Sequence, residues 1–466
     1  MKDAFEIKGY WWLPESPENK LPGTLSFSQR DGALLKLIGV FGVETDIRIN
    51  QPIIILGITQ QQRPVSLYKC FYLEWSLPLM GIGGCQYHVH FVFDGVHFES
   101  KAQIKFSQLY GNYTDLDAWI GIYGFSVERE NAENKFSANI KYEKPSAQFF
   151  DIGDTFEAGI DFSSQGPNLS TVQTKVKISQ PVYLTVKSKT GEINFDTLFS
   201  QLNVFSDLLQ VAVQRAVSPV SIFGLSRETV VELDGREPYY PEINIYYQPI
   251  ETLVNQKSKL PQEMLFTFQD LDADQIKTWF SSFAKYQTII HLYRSLIYGD
   301  RLFIETKFLN ISQALETLHS ILFNNQYLSD DEFANRKEKV LQSIPEELHD
   351  WVDGALSNAN FKRFRLKNFE LLDKKSAYFA GLIEDKDLFA KRVMVTRNEF
   401  VHQSKHKLAF QHGKELLDTI SLLKMLFELY LLEIIGFSDE KIQELTQPQK
   451  QSLLTGWKHL RLVNRL

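Results

Sequence analysis

The spacing of apolar side chains differs between the two halves of the chain. In the first half, short runs rich in aromatic and β-branched residues often alternate between apolar and polar positions. Such runs predict β-strands when turn signals such as Asp94-Gly95 separate them. One segment, residues 195–217, has helical apolar spacing and predicts an inserted helix. The predicted strands lie at residues 51–59, 86–100, 118–130, 171–179, 219–226 and 242–249.

From about residue 270 onward, the apolar spacing takes the 3.6-residue period of an amphipathic helix. Residues 272–298 and 303–323 predict two such helices, and Ser329 is the predicted N-cap of a third. A long apolar helix is predicted at 413–436, where it ends at a glycine. Because almost none of this half is strand-like, we expect an all-α bundle.

The predicted fold is an α+β multidomain protein, since 466 residues exceed one ordinary core. Residues 1–250 are expected to form a β-rich region, sandwich-like or barrel-like with the inserted helix, as one domain or two subdomains. The predicted linker is 251–263, within a polar stretch at 248–263 that prolines bound. Residues 264–466 are expected to form the helical bundle.

Composition narrows the class of protein. Apolar residues make up 44% and charged residues 23% of the chain, as in soluble globular proteins. Two cysteines without a CxxC pattern exclude a disulfide framework and a cysteine-ligated zinc site, and favour a reducing compartment. No signal sequence is evident, so we expect a cytoplasmic protein. The most apolar run, residues 416–436, is interrupted by charges, so we expect a buried helix and no membrane span.

The net charge of −7 is unevenly distributed. All of it arises in residues 1–250, whereas residues 251–466 are balanced. Within that balanced half, residues 361–414 carry 13 Lys or Arg against 6 Asp or Glu. Clustered cations attract anions whatever the global charge. This segment is therefore either a solvated face or an anion-binding surface.

Three histidines in the first half are candidates for a metal site. His88 and His90 share one face of a predicted strand, and His97 follows a short turn later. No carboxylate stands at an obvious third-ligand spacing, so we interpret these histidines as structural or surface residues and predict no metal. The glycines at 81–84 lack the following Lys-Ser/Thr of a phosphate loop.

The segment TRNEFVHQSKHK, near the C-terminal end, is a stronger candidate. On a helix Asn398 and His402 share one face, and the long side chain of Arg397 can reach round from the next face. Imidazole exchanges a proton near neutral pH, guanidinium pairs with two phosphate oxygens, and an amide can orient either group. We therefore predict Arg397, Asn398 and His402 as a catalytic set for phosphate-ester chemistry.

Glu399 lies inside this predicted catalytic set, and two interpretations of it stay open. Its carboxylate would repel a phosphate. Alternatively, it completes a capping box with Thr396, which would start a helix at the motif itself.

The pattern of Arg397, Asn398 and His402 resembles the R-(polar)-x-x-x-H signature of the HEPN superfamily. It lies where that family has it, late in a helical bundle and just before a long apolar helix. The segments FLNISQALETLHSIL and ELYLLEIIGFSDEKIQEL are similar to the ApeA-type HEPN domains of bacterial antiphage defence. This resemblance covers about residues 300–446. The β-rich half resembles the N-terminal domain of ApeA-like proteins in architecture only.

The resemblance implies a metal-independent endoribonuclease effector of antiphage defence that uses no cofactor. Arg397 and His402 would promote attack of the ribose 2′-OH on the adjacent phosphate, which leaves a 2′,3′-cyclic phosphate and a 5′-OH. The implied partners are an RNA substrate, of unknown species, and a phage-derived trigger, with no membrane. The N-terminal half would sense the trigger or restrain the nuclease.

A homodimer, or a higher even oligomer, is also expected through the HEPN domain. The resemblance implies that two copies of the motif face one cleft. The final apolar helix supports pairing independently, because 14 of the 21 residues 415–435 are apolar. One apolar stripe is enough for a helix to reach its own core, so the surplus predicts a second buried surface.

Basic residues near the motif are the predicted RNA contacts. In FKRFRLKNF, phenylalanines alternate with cations. One interpretation is a bundle helix whose rings face the core. The other is an RNA-binding surface, on which the cations contact phosphates and a ring stacks on a base. Both interpretations can hold together. The predicted RNA-binding residues are Lys362, Arg363, Arg365, Lys367, Lys405, His406 and Lys407.

Two other functions compete with this hypothesis. A non-catalytic HEPN scaffold for RNA or a protein partner would be favoured if Arg397 and His402 pointed into the core. The β-rich half would instead be an enzyme acting on a carbohydrate if it carried paired carboxylates at a telling spacing, which we do not find.

Overall fold

The computed structural model describes residues 4–41, 52–76, 83–132, 135–167, 176–232, 237–250, 257–298, 302–403, 405–410 and 413–457. The chain divides into two units, Met1–Ser281 and Ser282–Leu466. The division falls inside one helix, Ala273–Tyr298. Residues 251–256 of the predicted linker lie outside the described residues, so the predicted domain boundaries stay a prediction.

The first unit is built mainly from antiparallel strands. They are β1 (Ala4–Trp12), β2 (Leu21–Ser28), β3 (Gly32–Ile38), β4 (Ile53–Thr59), β5 (Pro64–Ser76), β6 (Gly84–Asp94), β7 (Lys105–Phe106), β8 (Gln108–Tyr113), β9 (Phe125–Ala132), β10 (Lys135–Tyr142), β11 (Gln148–Asp151), β12 (Phe156–Phe162), β13 (Val182–Ser188), β14 (Ile193–Asn194), β15 (Pro219–Leu225) and β16 (Ile243–Tyr246). The helices of this unit are α1 (Leu116–Ile120), α2 (Phe195–Val213) and the beginning of α3 (Ala273–Tyr298).

Six of these strands close into a ring in the order β1-β2-β3-β6-β5-β4. The ring closes because β4 pairs with β1 as well as with β5, at registers such as Gly9↔Thr59. The alternation in β3 shows how its core forms. Ala33 and Leu35 are buried inside, whereas Lys36 between two inward positions is exposed. The expected β-rich, barrel-like N-terminal half is confirmed.

The sheet continues from the ring through β16 to β15, β8, β13, β12 and β11. Helix α2 packs against β8 and β13, and the helix begins where the Asn194 side chain accepts a hydrogen bond from the Asp196 N–H, at 2.9 Å. The Phe195 ring lies 5.0 Å from the ring of Phe91 and 4.9 Å from that of Phe93. The inserted helix predicted from spacing is therefore confirmed.

Two predicted strands differ in the structure. The first part of the strand predicted at 118–130 is helix α1, bracketed by Asp115 and Gly121 in the left-handed backbone region. Trp119 is fully buried in that short helix, so burial of a large ring outweighs the β-like composition. Most of the strand predicted at 171–179 lies outside the described residues, and its end forms a single bridge at Ser179.

The second unit is helical, as predicted, with one isolated β-bridge among its described residues. Its helices are the end of α3, α4 (Ile304–Leu322), α5 (Asp330–Gln342), α6 (His349–Leu356), α7 (Phe364–Lys374), α8 (Lys386–His402), α9 (Lys414–Ile435) and α10 (Asp439–Trp457). The Ser329 side chain caps α5 as predicted, and α9 ends at Gly436. In the described part of the chain, no helix is long and apolar enough to span a membrane.

Helix α9 is the central helix of this unit. From Leu422 to Leu432 nearly every side chain is buried, including Glu428, which accepts a hydrogen bond from the buried Tyr293 hydroxyl. The Gln449 amide and the Lys424 ammonium group also contact that carboxylate, at 2.9 and 3.1 Å. Most of the apolar surplus of α9 is thus covered within the chain, whereas Leu417 is 51% exposed. The buried part of this surplus therefore does not indicate a dimer surface, because α4, α7 and α10 of the same chain contact α9, and pairing stays a prediction.

Candidate functional site

Helix α8 carries the predicted catalytic set in its last turns. The helix begins at Asp385, whose carboxylate accepts a hydrogen bond from the Leu388 N–H at 2.9 Å. It ends at His402, where Gln403 adopts the left-handed conformation, with φ of 55°. Asn398 and His402 are therefore one turn apart on one helix, as the spacing predicted.

The capping-box interpretation of Thr396 is wrong, because Thr396 lies deep inside α8. It is fully buried, and its hydroxyl donates to the Arg392 carbonyl oxygen at 2.8 Å. The same hydroxyl accepts a hydrogen bond from the Phe410 N–H at 2.8 Å. Thr396 thus attaches the segment that follows the helix back onto α8.

Two further contacts hold this returning segment. The Arg392 guanidinium donates to the Leu408 carbonyl oxygen at 3.0 Å and to Glu415 at 2.7 Å. The Glu399 carboxylate accepts a hydrogen bond from the His406 N–H at 3.4 Å. Glu399, for which repulsion of phosphate was one of two open interpretations, therefore has a structural contact.

Arg397 contacts two residues far away in sequence. Its Nη2 donates to the Glu316 carboxylate on α4 at 3.1 Å, and its guanidinium lies 4.6 Å from the centre of the Phe364 ring on α7. The Arg397 side chain is 29% exposed, so the group is held and still reaches solvent.

The other two members of the predicted set differ in exposure. The His402 side chain is exposed, and its imidazole makes no hydrogen bond to any residue in the described ranges. Asn398 is half-buried and has contacts of its own. An exposed imidazole at the end of a helix is accessible to a large substrate and can exchange a proton with it.

Three of the predicted RNA-binding cations are paired with carboxylates or buried. Lys362 contacts both oxygens of Glu370, at 2.7 and 3.0 Å. Arg365 forms an ion pair with Asp387. Lys367 is buried, and its ammonium group donates to the Ser320 hydroxyl at 3.1 Å.

The remaining predicted RNA contacts are exposed. Arg363 precedes α7, and its side chain is exposed. Lys405, His406 and Lys407 are exposed in the segment that returns along α8. The His406 Nδ1 accepts a hydrogen bond from the Leu408 N–H at 3.1 Å, so this imidazole also shapes the segment.

The histidines of the first unit are part of the barrel. His90 stacks on Phe91, with ring centroids 4.8 Å apart, and burial lowers its pKa. The His97 Nε2 lies 2.8 Å from the Gly57 carbonyl oxygen. Among the residues with described positions, no three His, Cys, Asp or Glu side chains are grouped as metal ligands would be.

Sequence patterns did not reveal Glu316 or Phe364 as neighbours of the motif. They lie 81 and 33 residues before Arg397, in the segments FLNISQALETLHSIL and FKRFRLKNF, and no spacing rule relates either residue to the motif. In sequence each looks like any other residue of an amphipathic helix. Only the packing of α4 and α7 against α8 identifies them as neighbours of Arg397.

The bundle places Arg397 and His402 in the last turns of one helix, before a central apolar helix, as expected for a HEPN-type domain. Residues 309–441 match the family described as Apea-like HEPN, and residues 6–279 match ApeA N-terminal domain 1. The N-terminal match spans more than half of the chain, so the chain belongs to the ApeA-like HEPN family. HEPN domains are generally RNase-like, and ApeA-like proteins are of the antiphage-defence class. No curated protein and no solved structure matches the chain.

Proposed function

We propose that the chain is an endoribonuclease effector of antiphage defence that cleaves RNA without a metal. The observation that carries this proposal is the end of α8, where an exposed His402 and a partly exposed Arg397 lie within an ApeA-like HEPN domain. Both groups reach solvent, as a site for a polymeric substrate must.

The chemistry follows from the two side chains. His402 takes the proton from a ribose 2′-OH, which attacks the adjacent phosphorus atom. The proton then passes on to the departing 5′-oxygen as the bond between that oxygen and phosphorus breaks. Arg397 stabilises the charge that develops on the phosphate oxygens. Asn398, one turn from His402, orients the imidazole or the phosphate. The products are a 2′,3′-cyclic phosphate and a 5′-OH.

The experiment that tests this function uses total bacterial RNA, the full chain and EDTA. We expect cleavage in the presence of EDTA, with cyclic phosphate and 5′-OH ends on sequencing of the fragments. His402→Ala should reduce the rate about a hundredfold or more, because the proton-transfer step is lost. If His402→Ala cuts RNA as fast as the parent protein under matched activation, the assignment is wrong.

The active form is proposed to be a dimer in which the motifs of two chains line one cleft. The exposed side chain of Val401 supports pairing there, since it is 53% exposed and lies one turn from Arg397 on α8. Under activating conditions, cleavage per chain should fall on dilution below the dimer dissociation constant. Constant cleavage per chain at concentrations where light scattering shows only monomer would exclude a shared site.

The N-terminal unit is proposed to gate the nuclease. An unrestrained ribonuclease would harm its own host, and the N-terminal unit has no catalytic signal of its own. Expression of residues 264–466 alone should inhibit growth in a His402-dependent manner, whereas the full chain should not. If a folded 264–466 fragment is as harmless as the full chain, gating loses its support.

A non-catalytic HEPN scaffold is the second candidate, and the Arg397–Glu316 ion pair favours it. A cation already paired with a carboxylate has less charge to offer a phosphate. The exposure of His402 argues against this candidate, because the scaffold would be favoured if Arg397 and His402 pointed into the core. RNA binding without His402-dependent cleavage would identify the scaffold.

A further inference from the structure

The ion pair of Arg397 belongs to a larger cluster between α4, α7 and α8. One carboxylate oxygen of Glu316 accepts the hydrogen bond from Arg397 at 3.1 Å. The other oxygen lies 3.7 Å from the ammonium nitrogen of Lys367. Lys367 is buried and is held in turn by the Ser320 hydroxyl. Glu316 therefore lies between two cations, one buried and one partly exposed.

The guanidinium of Arg397 is fixed on two sides. Phe364, which is buried, lies 4.6 Å from the guanidinium carbon and restricts the plane of the group. Glu316 engages one terminal nitrogen. A guanidinium has five N–H donors in a rigid fork, so a carboxylate at one nitrogen leaves other donors for a phosphate.

The charge of the cluster decides between two roles for Glu316. An isolated Arg–Glu pair is neutral and would compete with a phosphate for the guanidinium. Here Lys367 adds a second positive charge, so Arg397, Glu316 and Lys367 together carry a net charge of about +1. The cluster therefore still attracts a phosphate while Glu316 restricts the motion of Arg397.

We propose that Glu316 is a positioning residue, which holds the Arg397 guanidinium in place for the phosphate of the scissile RNA bond, with Lys367 and Phe364 supporting it. Lys367 thereby acts through Glu316 and makes no RNA contact. This inference rests on the proposed function, because it assigns roles around the same site.

The first test compares Glu316→Met with Glu316→Gln in the full chain. Methionine has a similar length and keeps the helix but makes no bond to Arg397. We expect it to lower kcat about a hundredfold with KM changed less, because a misplaced catalytic group costs on this order. Glutamine keeps an acceptor oxygen for Arg397 and should retain kcat within about tenfold of the parent, a rescue that a purely structural role would not show.

The matched control is Asp387→Asn, which breaks the Arg365–Asp387 ion pair on the neighbouring helices. It should leave kcat within about twofold of the parent value, because surface ion pairs contribute little to stability. If Asp387→Asn lowers kcat as much as Glu316→Met, loss of any ion pair in the bundle explains the effect and the positioning role is overturned.

A double-mutant cycle with Arg397→Ala separates positioning from other effects of Glu316. If Glu316 acts through Arg397, then Glu316→Met should have no further effect on kcat once Arg397 is alanine. Equal losses in both backgrounds would overturn the proposal. If Glu316→Met does not fold, Glu316→Asp keeps the charge but shortens the reach, and we expect about a tenfold lower kcat.

The outcomes distinguish this inference from the proposed function. If the parent chain cuts no RNA in a His402-dependent manner, the proposed function fails. If the parent does so and Glu316→Met matches its kcat, only the positioning role fails. A Glu316→Met variant faster than the parent would show that Glu316 restrains Arg397, which also overturns the positioning role.

Discussion

Two basic regions of the helical unit look alike in sequence and differ in structure. One is the stretch 361–369 at the start of α7, and the other is 397–407, which contains the motif and the segment after it. Ion pairs with Glu370 and Asp387 offset Lys362 and Arg365 in the first region. In the second region, His402 and the cations after it are exposed.

The difference shows that a count of cations does not locate an anion-binding surface. The carboxylates that offset the first region come from α4, from α7 itself and from α8. A buried lysine such as Lys367 is withdrawn from solvent, so it cannot contact a phosphate there. The local excess of positive charge is therefore available mainly near the end of α8.

The largest expected effect is on the cleavage rate, in a comparison of two arginines that each pair with one carboxylate. Arg397→Ala should lower cleavage at saturating RNA about a hundredfold or more, because charge stabilisation in the transition state is removed. Arg365→Ala, in the first basic region, should leave that rate nearly unchanged. Single-turnover kinetics on one defined RNA measure both. Equal losses would mean that the two regions do not differ in function.

The second prediction concerns the attachment of the returning segment. Thr396→Val removes a hydroxyl that has two hydrogen bonds and keeps the shape of the side chain. It should lower the free energy of unfolding by about 1–3 kcal/mol, because the Phe410 N–H is left without its partner. Urea unfolding checks this. A stability equal to that of the parent would show that the segment does not depend on Thr396.

The third prediction compares the two regions in RNA binding. Exchanging Lys405 and Lys407 for glutamine should lower RNA affinity and reduce the salt slope, by about 0.7 for each phosphate that the protein no longer neutralises. The same exchange at Lys362 and Arg365 should have less effect, because carboxylates already offset those charges. Measuring RNA affinity as a function of salt concentration tests both expectations. A larger change of the salt slope for the Lys362 and Arg365 variant would show that the first basic region is the main RNA contact.

The smallest expected effect is on the pH dependence of stability, at the His319–Glu370 contact beside the first basic region. Burial lowers the pKa of His319 below 6.5, and its hydrogen bond with Glu370 offsets this only in part. The unfolded chain therefore binds a proton at higher pH than the folded chain, and stability falls as the pH drops below about 6.5. His319→Gln should flatten part of that fall between about pH 7 and about pH 5.5, as measured by thermal unfolding.

Burial also lowers the pKa of His90 and His291, so a residual slope should remain in the variant. If His319→Gln shows the same pH dependence as the parent, protonation of His319 is not coupled to folding.

Local patterns in the sequence determined the fold class of each half. Alternation of apolar residues is a property of neighbouring positions, so the barrel strands and the long helices follow from it. Periodicity did not predict short elements such as helix α1, because five residues are too few to show a period. The burial of Trp119 favours the helix there. The sequence also placed Asn398 and His402 on one helix face, because a turn of helix relates them directly.

Only the tertiary structure decided which charges are available to a substrate. Glu316 meets Arg397 across 81 residues, and Asp387 meets Arg365 across 22. No spacing rule relates such positions, because the packing of helices brings them together. The same holds for the apolar residues of α9. Their number predicts that α9 is buried on several sides, but it does not show whether a second chain or the helices of its own bundle cover them. Periodicity specifies the elements, whereas contacts distant in sequence specify the electrostatics of the site.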